Sequence, residues 1–190
     1  VRPPPLRRSP SITSRRYSSR RLAYAALLVA LGLTGAYAES IPNLELLTLV
    51  AFGSGVLLGM RDGAAVGGLT MLLFTLLNPY GPAPPWVMLA QVLGMALAGA
   101  CGALFARAGG PSWPAGRRAA VLAFAAFGLT AVYDLMTNVA TGLVFGQMRL
   151  VLLAGIPFSL WHIGFNVALF AVIGTPLTAV LARYAERLEV

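Results

Sequence analysis

The stretch Ala131–Gly142, AVYDLMTNVATG, and its counterpart Phe158–Ala168, FSLWHIGFNVA, decide how this chain is built. Each is an apolar run carrying polar side chains four residues apart: Asp134 with Asn138, and His162 with Asn166. On a helix that spacing sets both members of a pair on one face, one turn apart. Such a face is costly in lipid, so in a membrane helix it is expected to point at a protein interior or a cavity.

Composition decides the solvent. The 190 residues are 58% hydrophobic and 11% charged, with a mean hydropathy of +0.78, where a soluble chain carries roughly 25% charged residues. An all-α integral membrane protein is expected. The net charge of +8 comes from arginine alone among the basic residues, and much of it lies in the first 21 residues, VRPPPLRRSPSITSRRYSSRR. That segment has almost nothing to bury and reads as a disordered basic cytoplasmic tail, suited to anionic lipid headgroups rather than nucleic acid. Cys101 is the only cysteine, which rules out an intrachain disulfide and reads as a packing residue.

Residues 22–183 divide into six expected transmembrane helices: Leu22–Ala38, Leu46–Met60, Ala64–Leu77, Trp86–Ala106, Ala119–Leu143 and a last span opening at Pro157 and running to Arg183. Proline suits the first turn of a helix, which is why the sixth span is started there. Arg61-Asp62-Gly63 reads as a tight inner turn, and Asn78–Pro85, with four prolines, as a stiff outer loop. Val144–Gly155, with Gln147 and Arg149, fits an outer hairpin lying against the bundle. Residues 184–190 form a second cytoplasmic tail. With both termini cytoplasmic, every arginine except Arg149 falls inside, in keeping with the positive-inside rule.

Counting about 1.5 Å per residue puts Asp134 and His162 at one level, each about 8 Å below the outer surface of a ~30 Å core. Gln91 falls at the same height, and the outer loops Glu39–Glu45 and Asn78–Pro85 are placed to close over it. Tyr133 and Trp161 neighbour the polar groups and suit stacking on a flat ligand. The expectation is an outward-facing pocket with a sealed floor. Its candidate lining is Asn78, Gln91, Tyr133, Asp134, Asn138, Trp161, His162 and Asn166. Two other readings stand beside it: a structural membrane subunit in which Asp134 tethers His162, and a small intramembrane enzyme using the same two residues. No Gly-x-Ser-x-Gly, His-Glu-x-x-His or Walker pattern is present, so no catalytic activity is assigned. With one histidine and no clustered acids, no metal or cofactor is expected either.

On Ala26-x-x-x-Ala30, the run GMRDGAAVGGLTMLLFTLLNPYGP from Gly59 to Pro82, Gln91 with Gly94, Tyr133-Asp-Leu-Met-Thr-Asn138, and Pro157 through His162 to Asn166, the chain resembles the substrate-binding S components of energy-coupling factor (ECF) vitamin transporters. The resemblance spans Leu22 to Arg183. It implies a multi-pass protein of a prokaryotic cytoplasmic membrane that captures a vitamin or related small molecule from outside. It also implies docking through Ala26 and Ala30 onto a transmembrane coupling subunit served by two ATPase subunits. Riboflavin, pantothenate, a thiamin precursor and a cobalamin-type ligand all suit the mixed polar inventory.

Overall fold

The computed structural model describes residues 19–37 and 45–188. The expectations for the basic tail before Ser19, for residues 38–44 of the first outer loop and for the last two residues lie outside them. Among the described residues every regular element is helical: α1 (Ser19–Tyr37), α2 (Leu47–Leu58), α3 (Met60–Leu76), α4 (Pro85–Arg107), a 3-10 turn (Gly110–Ser112), α5 (Ala115–Phe145), α6 (Met148–Leu169), a π-helical segment (Phe170–Gly174) and α7 (Thr175–Leu188). Helix α4, helix α5 and the continuous 41-residue rod from Met148 to Leu188 are each long and apolar enough to cross a membrane. The fold is that of an all-α membrane protein.

Helix α2 sits at the centre, with eleven of its twelve residues buried. A helix that is apolar on all sides has no solvent face and must be surrounded. Phe52 is fully enclosed and meets the rings of Phe105 and Phe170, and Leu49, Val56, Met71, Met95 and Leu122 complete the core around it. At about 18 Å, α2 is shorter than a ~30 Å hydrocarbon core. Glycine lets its neighbours come this close. A Cβ on Gly55 would lie 1.8 Å from the backbone oxygen of Gly99 on α4, and one on Gly63 would lie 2.4 Å from the Gly55 Cα.

Several sequence boundaries move. The turn between α2 and α3 is made by Gly59, at φ 86 and ψ 179, a region that essentially only glycine occupies. Arg61, Asp62 and Gly63 therefore belong to the first turn of α3 instead of forming the turn. Helix α1 already includes Ser19, Arg20 and Arg21, ahead of the expected start at Leu22. The largest correction concerns Pro157, which lies inside α6 rather than at its start. The residues before it pack on α5: Met148 fits against Gly142, and Gly155 against Asn138. One hydrogen bond missing at a proline costs less than leaving two turns of apolar backbone unpaired in lipid.

The α5–α6 hairpin therefore extends well past the polar patches. Asp134 lies about 17 Å and His162 about 21 Å from its tip, not about 8 Å from a helix end. Further along, two threonines bond back to carbonyls of the π segment. Thr175 Oγ1 donates to the Ala171 carbonyl at 2.6 Å and Thr178 Oγ1 to that of Gly174 at 2.9 Å.

The two ends of the bundle differ in charge. Arg20, Arg21, Arg61, Arg107, Arg117, Arg118, Arg183 and Arg187 fall at the end formed by the start of α1, the α2–α3 turn, the α4–α5 connection and the close of α7. Arg21 ties part of this end together, donating to the Leu58 carbonyl that closes α2 and pairing with Asp62 of α3 at 2.8 Å. A cation at a helix C-terminus and an acid at the next N-terminus both follow the helix dipoles. The candidate site lies toward the other end.

Candidate functional site

Three elements converge on His162. It is buried on α6, and its Nδ1 lies 2.9 Å from Asp134 Oδ1 on α5. Its Nε2 lies 3.6 Å from Oε1 of Glu45, the residue that leads into α2, which is an ion-pair distance. A ring protonated on both nitrogens satisfies both carboxylates, whereas a neutral ring turns a lone pair toward one of them.

Glu45 is itself fixed by the start of α2. Thr48 donates to it twice, from the backbone nitrogen to Oε2 at 3.0 Å and from Oγ1 to Oε1 at 2.6 Å. A carboxylate there also meets the positive end of the α2 dipole. Burial pushes the Glu45 carboxyl up, but the contacts with His162 and Thr48 outweigh burial and hold it below its ordinary value of 4.5.

One turn deeper, the polar chemistry is unfinished. Asn166 is fully buried, and neither its Oδ1 nor its Nδ2 has a hydrogen-bond partner. The antiparallel register that pairs Asp134 with His162 sets Thr130 across from Asn166. The buried Thr130 Oγ1 is likewise unpartnered, as is Asp134 Oδ2, while His162 Nε2 has its ion-pair contact with Glu45 but no hydrogen bond. Each such atom carries a desolvation cost of about 1–3 kcal/mol, so this level is a place where a ligand or ordered water has something to bind.

The wall of the site continues through Tyr133, whose ring lies edge-on to His162 at 6.2 Å between centroids and covers Gly94 of α4, leaving no room for a Cβ there. One turn toward the connection end on α4, Gln91 Oε1 accepts from Thr75 Oγ1 at 2.9 Å. The Thr48 hydroxyl also meets the Met95 sulfur at 3.8 Å, linking α4 to the Glu45 corner.

Asp134, His162, Asn166 and Tyr133 are thus gathered on facing sides of α5 and α6, with Gln91 on the adjoining helix. Asn138 lies one turn further toward the hairpin tip, against Gly155. Trp161 is 55% exposed on the outer side of α6 and does not join the cluster, since one residue along a helix turns the side chain by about 100°. The Asn78 oxygen accepts from the Tyr80 backbone nitrogen at 2.9 Å, an Asx turn that fixes the loop.

No protein-family model matches the chain, and a search of curated proteins finds no significant match. The site is read from its own residues.

Sequence reasoning placed Glu45 only at the end of the Glu39–Glu45 loop, which closes over the pocket and by the family resemblance contacts substrate, without naming it as a lining residue, and missed Thr130 and Thr48. The signal for Glu45 was present: an acid set immediately before an apolar helix and three residues ahead of a threonine. No group of three or more histidine, cysteine or acidic side chains converges in metal-binding geometry among the described residues. The imidazole stands between the two carboxylates, one at each ring nitrogen, and keeps them from sharing an ion.

Proposed function

We propose that the chain is the substrate-capture subunit of an ATP-driven ECF-type importer, which binds a vitamin or related small molecule and works by delivery rather than by catalysis. The observation that carries this reading is the Glu45–His162–Asp134 arrangement above the unpartnered side chain of Asn166. Three separate segments contribute, and buried acceptors and donors remain unused. In this reading the six helical rods all cross a prokaryotic cytoplasmic membrane, the arginine-rich end and both termini are cytoplasmic, and the site opens outward. The exposure of Ala26 and Ala30 along α1 supports docking of that face on a coupling subunit, which two ATPase subunits would drive.

The ion pairs themselves favour a second reading. His162 already has protein partners on both sides, as a structural tether between α2, α5 and α6 requires. Asp134→Asn separates the two. The capture reading expects ligand affinity to fall by at least about tenfold, the worth of a hydrogen bond to a charged group, with the thermal stability of the empty protein little changed. Lowered stability of the empty protein, with no small molecule co-purifying in mass spectrometry and no coupling subunit retained in a pull-down, overturns the capture reading.

A further inference from the structure

At the arginine-rich end, far from the polar site, a groove runs between α1 and α7. It consists of two cavities of about 380 and 240 Å³ that share Tyr24, Leu27 and Tyr184, so they form one continuous slot. Both helices lean on the end of α2, whose Leu57 lines the slot, and the gap between them stays open.

The slot changes character along its length. Its inner portion is walled by Leu28, Leu31, Val180 and Leu181 and is almost wholly apolar, while its mouth is lined, among the described residues, by Arg20 and Arg187 and no acid. From Arg20 to Leu31 it follows α1 for about 16 Å, close to the half-thickness of a ~30 Å hydrocarbon core that the chain of one leaflet's lipid occupies. The Arg187 guanidinium lies 5.3 Å from the Tyr184 ring centroid, which holds it at the rim instead of letting it swing into solvent.

We propose that this groove binds one anionic glycerophospholipid, with the phosphate between Arg20 and Arg187 and an acyl chain lying in the slot between α1 and α7. Guanidinium groups are matched to phosphate by geometry as well as by charge. The apolar portion accepts a chain from any lipid, and the two arginines select the anionic headgroup. The site is independent of the polar cluster and of what that cluster binds.

Native mass spectrometry of the full-length protein, equilibrated in detergent with equal amounts of phosphatidylglycerol and phosphatidylcholine carrying the same chains, tests this. At about fivefold per arginine, the protein is expected to retain phosphatidylglycerol about twentyfold or more over phosphatidylcholine. The preference should fall about fivefold in Arg20→Gln and in Arg187→Gln, and nearly vanish in the double variant. Leu27→Trp, which fills the slot, should reduce retention of both lipids while circular dichroism stays unchanged. Equal retention of the two lipids by the wild type overturns the proposal, as does a preference that survives the double substitution. Retention of neither lipid overturns it too, and would point to the chain's own basic segment before Ser19 as occupant.

Discussion

At the scale of the residue, Glu45 is the most informative side chain. Its carboxyl is buried, held by Thr48 and set against His162, and it stays ionised more readily than an ordinary glutamate. A group whose folded pKa is depressed contributes stability that is present in full above its unfolded value, here near 4.5, and is lost as pH falls through the lower folded value. Thermal unfolding in detergent should therefore show a loss of stability on acidification below about pH 4.5 that is shallower in Glu45→Gln. Identical acid limbs in the two proteins would show that the Glu45 contacts do not stabilise the fold. The pairs Asp134/Asn138 and His162/Asn166 were legible because a four-residue spacing of polar groups in an apolar run marks a single helix face. The pairing of Glu45 with His162 was not, because the two residues are over a hundred positions apart and only the folded bundle brings them together.

At the scale of the element, glycine sets how closely α2, α3 and α4 cross. The close approach of the Gly99 carbonyl to the Gly55 position leaves a methyl group no space, and neither atom is the movable end of a side chain. Gly55→Ala is expected to destabilise the protein by about 1–3 kcal/mol or more through overpacking, read as a lowered unfolding midpoint. Gly128→Ala is the control, since a Cβ there meets nothing within 4 Å and a helix interior favours alanine. A loss in Gly55→Ala no larger than in Gly128→Ala would mean that the close crossing does not set the cost. Sequence reading took the α2 segment as one span among six because its composition is that of any membrane helix. Its shortness was read from the sequence, but its central place follows from packing. The same limit accounts for Pro157: proline is a good sign of a helix start, but the segment before it is held helical by contacts with α5 that no local pattern records.

At the scale of the whole molecule, the separation of charge sets an orientation. Eight of the arginines in the described residues stand at one end, and Arg149 alone lies at the α5–α6 connection. If that bias sets topology, Tyr80→Cys on a Cys101→Ala background should react with a membrane-impermeant maleimide in intact cells, and Ser112→Cys only after lysis. The reverse pattern would invert the orientation, and labelling of both in intact cells would break the six-crossing arrangement. Tyr80 is 98% exposed on the α3–α4 loop and Ser112 is exposed between α4 and α5, so neither position is shielded by the fold. The helical class and the one-sided charge could be read from the sequence, because both are sums over many residues. The continuous rod from Met148 to Leu188 could not, and its π segment bears on how the chain should be compared with others. A π turn holds one residue more than the α turn it replaces, so positions beyond Gly174 are advanced by one relative to an uninterrupted helix. An alignment to a protein whose last helix is regular needs a one-residue gap between Phe170 and Gly174. Without that gap, Tyr184 and Arg187 would be matched to residues on the wrong side of the helix.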